Sequence, residues 1–198
     1  MREGYAIRDQ FKPHFVTFTV TDWVDVFTRK EYADVIIDSM KYCQKSKGLI
    51  LFSYVIMSNH IHAIMQSANG ELSNLIRDFR RFTSKNIIDL IIKNNSESRQ
   101  DWMLKRFEFA GKSVTPNQDY KFWREGFHPE EIFSEKFMWS KLNYIHLNPV
   151  RSRIVNKASN YIYSSASNYV NGKGEIEVEL VSNVLANSTD WKIFLNDW

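Results

Sequence analysis

The sequence predicts an α+β fold: one antiparallel sheet with helices packed on it. Three observations carry that reading. Apolar runs of strand length alternate with segments of helical spacing. Two of the strand-like runs follow each other with only Ser58-Asn59 between them. The elements fall in the order β-α-β-β-α-β. A chain of 198 residues has room for one domain of about 150 residues and a small appendage.

Residues 14–20 (HFVTFTV) are β-branched and aromatic and read as a strand. From 29 to 44, Tyr32, Val35, Ile36, Met40 and Cys43 recur at helical spacing, and Gly48 is a stop signal. Residues 49–57 (LILFSYVIM) read as a central strand and 60–66 (HIHAIMQ) as its antiparallel neighbour. Asn69-Gly70 is a turn. A long helix is expected over 72–92, its apolar stripe including Leu72, Leu75, Ile76, Phe79, Ile87 and Ile91, its polar face carrying Arg77, Arg80, Arg81 and Lys85. A polar loop over 94–99 leads into a helix over 101–110. After a turn-rich stretch, 120–123 opens a fourth strand. Ser134 is placed to cap a helix that ends at Asn148, because proline disfavours helical geometry at the residue before it. Residues 175–180 alternate Glu with Ile, Val and Leu, as an edge strand or hairpin does. This order, with its C-terminal additions, is the ferredoxin-like split arrangement.

Composition narrows the function classes. With 43% hydrophobic and 25% charged residues the chain is neither disordered nor collagen-like. No run approaches the roughly 18 apolar residues of a membrane span. Residues 1–5 offer no apolar signal region. One cysteine, Cys43, cannot form an internal disulfide and is expected to be buried on its helix, so the expected compartment is the cytosol. Net charge is +3, but residues 171–198 hold two basic and five acidic side chains, which leaves +6 on the rest. Between Lys136 and Lys157 stand five basic residues and no acidic one. Such a segment faces either a polyanion or solvent.

Two stretches carry chemistry. In Met57-Ser-Asn-His60-Ile-His62, strand geometry puts both imidazoles on one face. Neutral imidazole is a good ligand for divalent metals; two polar residues on an exposed sheet face have the same pattern. In Lys141-Leu-Asn-Tyr144-Ile-His-Leu-Asn148-Pro-Val-Arg151, helical spacing projects Tyr144 and Asn148 together, with Lys141 one turn earlier. Asn148 is expected at the helix C-terminus, where the dipole favours a cation. Its amide oxygen would complete a two-histidine, one-oxygen site. A core aromatic with a bonded hydroxyl is the other reading of Tyr144. His14 and His128 read as turn or surface residues, His146 as facing elsewhere on its helix, and Phe122, Trp123 and Phe127 as core.

Met57-Ser-Asn-His-Ile-His62, followed by Phe122-Trp-Arg-Glu-Gly-Phe-His128 and Tyr144-Ile-His-Leu-Asn-Pro-Val-Arg151, resembles the HUH single-tyrosine transposases, most nearly the REP-associated tyrosine transposases. The likeness runs from about residue 13 to 169. It implies a ferredoxin-like (RRM-like) palm over 1–170, with 171–198 as an accessory segment. It also implies a single-stranded or hairpin DNA partner and no membrane. Tyr144 matches the nucleophile, His60 and His62 the metal histidines, and Asn148 the third metal contact; Mg²⁺ or Mn²⁺ suits such ligands. Ser58 stands where the family commonly has proline, which touches turn rigidity. The implied reaction is metal-dependent cleavage and rejoining of single strands through a covalent 5′-phosphotyrosine. Arg77, Arg80, Arg81, Lys85, Lys141, Arg151 and Arg153 are the candidate DNA contacts; solvated surface is the other reading of the Arg77–Lys85 face. The oligomeric state is open between a dimer, as in related insertion-sequence transposases, and a monomer, which is slightly favoured because the C-terminal segment could cover the dimerising edge. The alternative is a non-catalytic nucleic-acid-binding module on the same fold.

Overall fold

Four strands form one antiparallel sheet in the order β2-β3-β1-β4, from β1 (His14–Thr19), β2 (Leu49–Ile56), β3 (His60–Ser67) and β4 (Glu130–Glu131). This computed structural model describes residues 6–115 and 117–181. Read from the other edge, the order is 4-1-3-2, the ferredoxin-like arrangement. Helices α1 (Lys30–Lys47), α2 (Leu72–Lys93) and α3 (Gln100–Lys112) belong to one layer; α4 (Glu135–Arg151) and α5 (Ala166–Asn171) belong to the other.

Because both faces are covered, β1 and β2 read as near-continuous apolar runs rather than alternating ones. Val16, Phe18, Ile61, Ala63 and Met65 point into the core with α1 and α2. Phe15, Val55 and Ile64 point the other way, against Leu142 and Ile145 of α4. Gly48 ends α1 in the left-handed region (φ 68°), its N–H bonded to the Cys43 carbonyl, and a Cβ there would meet the Asn69 amide nitrogen at 2.7 Å. Cys43 is buried, as expected.

The fourth strand differs from the expectation. Residues 120–123 make only an isolated bridge, Val20 to Trp123, and β4 proper is a pair of residues opposite His14 and Phe15. Phe122 and Trp123 both pack into the same core, that of α1, α2 and α3, which the alternating faces of a pleated strand do not allow. Positive φ at Gly126 (74°) and His128 (35°) then breaks the pleat. The whole stretch still runs along β1: Arg124 N–H donates to the Thr19 carbonyl, Thr17 N–H to that of Phe127, and Ile132 N–H to that of Pro13.

Ser134 caps α4, its hydroxyl accepting from the Phe137 N–H at 3.2 Å. The helix does not stop at Asn148: it passes through the buried Pro149 to Arg151. Ser152 N–H still reaches the Asn148 carbonyl and Ile154 N–H that of Pro149, so the proline forfeits a single bond near the helix end. Asn148 therefore sits inside the last turn rather than at the terminus.

No strand forms at 175–180. The outer edge of β2 is already taken by the chain after α4, where Ile56 N–H donates to Tyr163 and Ser165 N–H to Tyr54. Glu179 N–H reaches Leu51 at the β2 bulge, while the carbonyls of Ile176 and Glu177 accept from the Asn168 and Gln44 side chains. One histidine differs from the expectation. His14 is buried, not at the surface, with its Nδ1–H donating to the Lys12 carbonyl at 2.9 Å. His146 does face away from Tyr144, into full burial against the Ser165 hydroxyl at 2.8 Å. Among the described residues no helix is long and apolar enough to cross a membrane.

Candidate active site

His60 and His62 begin β3 on the face that carries α4. Across the β1–β3 ladder their partners are Thr19 and Thr17. The imidazole rings lie 4.7 Å apart, centroid to centroid. Each ring is held through Nδ1. His60 Nδ1–H donates to Asn59 Oδ1 at 2.8 Å, and His62 Nδ1 bonds to the Thr17 hydroxyl at 2.8 Å. For His60 the Asn59 oxygen can only accept, so Nδ1 carries the proton and Nε2 keeps its lone pair, the arrangement that metal-binding histidines use; the Thr17 hydroxyl fixes the His62 ring and bonds its Nδ1 in either direction. Burial lowers both pKa values; for His62 burial comes first, then the charges of His60 and Lys141, and the result is about 3. Both rings are thus neutral, ligand-competent bases near pH 7.

Tyr144 enters from α4. It is 39% exposed, and its hydroxyl lies 3.4 Å from His62 Nε2. It is not a core residue: the helix buries Leu142 and Ile145 and leaves the Tyr144 ring at the site. Asn148, one turn on, is half-buried, and its side-chain amide makes no hydrogen bond among the described residues.

Phe15 organises the cluster from below and was not singled out from the sequence. Its ring stacks on His62 (5.4 Å, 20°) and meets Tyr144 edge-on at 6.0 Å. Lys141 Nζ sits 4.3 Å from the Phe15 centroid and pairs with Glu130 at 2.8 Å. Thr17, Asn59 and Trp23 were missed as well. Asn59 adjoins the histidine pair in the motif, which was a usable signal. Phe15 and Thr17 reach the site only through cross-strand register, which no local pattern encodes.

The basic residues divide. Lys141 and Arg151 are at the site, the Arg151 guanidinium 5.8 Å from the Tyr144 centroid, with Arg153 exposed just past α4. The α2 residues belong to the opposite layer of the sheet. Arg77 pairs with Asp78 and Lys85 with Asp89; Arg81 is exposed. Arg80 turns inward, donating to the Arg124 carbonyl at 2.6 Å with its guanidinium 5.7 Å from the Phe127 centroid.

The donor set that the sequence suggests for an ion is the two imidazoles and the amide oxygen of Asn148, one helical turn after Tyr144 on α4. Among the described residues no three or more His, Cys, Asp or Glu side chains gather into a metal-binding group. The chemistry of that set suits a divalent ion: two neutral imidazoles, each anchored through Nδ1, and an amide that makes no hydrogen bond among the described residues. It carries no charge of its own, so an ion there keeps its attraction for phosphate oxygens.

These features define a class: an antiparallel palm that presents paired histidines and a helix-borne tyrosine on one face. No protein-family model matches the chain, and no curated protein is similar to it in sequence. Among solved structures it is similar to a REP-associated tyrosine transposase bound to a REP hairpin, with a TM-score of 0.60 and 14% identity, covering 89% of each chain. The chain has the fold of that transposase.

Proposed function

We propose that the protein is a metal-dependent single-stranded DNA transposase or endonuclease, with Tyr144 as nucleophile and hairpin-bearing DNA as substrate. The observation that carries this reading is the Tyr144 hydroxyl, 3.4 Å from His62 Nε2 on the solvent-open side of α4, in a fold shared with a hairpin-bound tyrosine transposase.

The residues act as follows. His60, His62 and Asn148 would hold a divalent ion. When bound, it supplies Lewis-acid polarisation of the scissile phosphate and stabilises the charge that develops there. Lys141 and Arg151 hold the strand's phosphates at the mouth of the site. Tyr144 Oη attacks phosphorus and the bond to the O3′ atom breaks. The phenolic proton is lost and the leaving oxygen gains one, so no net proton is consumed. One phosphodiester is exchanged for another, which lets the reverse attack by a 3′-hydroxyl rejoin strands without a nucleotide cofactor. Phe15 keeps the His62 ring in its plane, and Thr17 and Asn59 keep both Nε2 atoms aimed outward.

The test is incubation with end-labelled stem–loop DNA carrying single-stranded tails, with Mn²⁺, followed by denaturing electrophoresis. A covalent protein–DNA adduct is expected from the wild type and none from Tyr144→Phe, which removes a single oxygen and leaves the fold intact. An adduct formed by Tyr144→Phe, or none from the wild type across varied stem–loops and metals, would overturn the reading.

A further inference from the structure

Trp23 stands at the rim of this site. It is 54% exposed, and its ring meets that of His60 edge-on, 6.2 Å between centroids. The backbone that presents it is unusual. Asp22 and Trp23 both have positive φ, 54° and 57°, in the left-handed region that residues with a Cβ enter at a cost. The conformation is pinned: Trp23 N–H donates to the Val20 carbonyl at 3.1 Å, and Asn59 Nδ2 donates to the Trp23 carbonyl at 3.2 Å. Strain held in place by its surroundings is a feature of functional positions. Here it keeps an indole at the surface that burial would otherwise reward.

A cation accompanies the ring. The Arg124 guanidinium lies 5.9 Å from the Trp23 centroid. Arg124 is itself anchored, its N–H on the Thr19 carbonyl and its carbonyl on Arg80 Nη2. Arg80 thus acts from the far layer by fixing the segment that carries Arg124. A rigid exposed indole beside an anchored guanidinium, next to histidines suited to a phosphate-bound ion, matches what an unpaired nucleotide offers: a flat base and a charged backbone.

We propose that Trp23 is a stacking platform for a nucleobase of single-stranded DNA, the base adjoining the phosphate seated at His60, His62 and Tyr144, with Arg124 holding the strand beside it. The inference rests on the function proposed above and adds a base-binding site to it. Base stacking on an aromatic face tolerates any sequence, so the site requires an unpaired base rather than a particular one.

The experiment measures affinity by anisotropy for a labelled stem–loop with a single-stranded tail, along which one abasic nucleotide is walked. The proteins are wild type, Trp23→Ala and Trp23→Phe. Trp23→Ala is expected to bind about tenfold more weakly, and Trp23→Phe to retain most of the affinity. One abasic position should weaken the wild type by a similar factor and leave Trp23→Ala unchanged, which ties the loss to that base rather than to folding. If the wild type binds and every abasic position costs both proteins the same, the platform is wrong while the DNA reading stands. If Trp23→Ala binds as tightly as the wild type, the platform is wrong in the same way. If the wild type binds no stem–loop with a tail, both are overturned.

Discussion

Asn59 Oδ1 accepts the Nδ1–H of His60 at 2.8 Å, and the amide cannot turn round, because its Nδ2 already donates to Asp25 Oδ1 at 2.9 Å and to the Trp23 carbonyl. An oxygen facing His60 can only accept, so Nδ1 carries the ring proton and Nε2 is the open base. The support extends backwards. The Asp25 carbonyl accepts from Arg99, which with Arg29 grips the buried carboxylate of Glu97. A loop far along the chain thereby steadies the turn on which the first histidine is aimed.

Replacing Asn59 with leucine keeps the bulk and removes the acceptor. Mn²⁺ affinity, measured by titration calorimetry, is expected to fall roughly 10- to 100-fold, the usual loss when an outer-shell partner of a metal histidine is deleted. Unchanged Mn²⁺ binding would show that this amide does not orient a ligand.

Phe15 is 5% exposed, so Phe15→Ala should cost about 3–5 kcal/mol by cavity formation and say little about the site. Phe15→Leu is the informative change. It should cost less than about 1.5 kcal/mol in chemical unfolding, yet it removes the surface on which His62 stacks and over which Lys141 sits. Strand cleavage should slow several-fold at nearly wild-type stability. Full activity in Phe15→Leu would leave the ring a packing role only.

Position relative to the sheet separates the basic residues. Arg151→Ala, at the site, should weaken stem–loop binding and reduce the salt slope by about one. Lys85→Ala on α2, in the opposite layer and paired with Asp89, should change neither. Equal losses from the two variants would mean that the DNA wraps both faces.

Acid should destabilise the fold in a defined window. Burial lowers the His146 pKa from 6.5 to about 3, and His62 shifts the same way. Below pH 6.5 the unfolded chain binds protons that the folded chain refuses, so stability falls as pH falls, down to about pH 3, by about 1.4 kcal/mol per pH unit for each fully shifted group. Glu97 has the opposite chemistry and the same sign. Its hydrogen bonds from Arg99 hold its carboxyl at about 2, so its contribution is present above 4.5 and is lost as pH drops through 2. Urea midpoints at pH 7 and pH 5 should differ markedly for the wild type and less for His146→Gln. Equal pH dependence in the two proteins would mean that His146 is not the group that titrates.

The sequence by itself determined what depends on neighbours in the chain. The period of two put His60 and His62 on one face; helical spacing set Tyr144 one turn ahead of Asn148; Ser134 marked the start of α4. The order of elements pointed to the ferredoxin-like split arrangement, because short connections leave few ways to pair the strands, but the run 49–57, expected as a central strand, lies at the edge of the sheet as β2. Tertiary structure decided the rest. Whether Phe122 and Trp123 pleat or both turn inward depends on a core that α1, α2 and α3 build from distant residues. Whether a helix tolerates Pro149 depends on what buries it. Phe15 and Thr17 meet His62 only because β1 and β3 pair in one register out of several, and a shift of one residue would send both to the opposite face. Trp23 lies at the rim because Val20 and Asn59, one before it in the chain and one far after it, hold its backbone in a conformation that local preference alone would not choose.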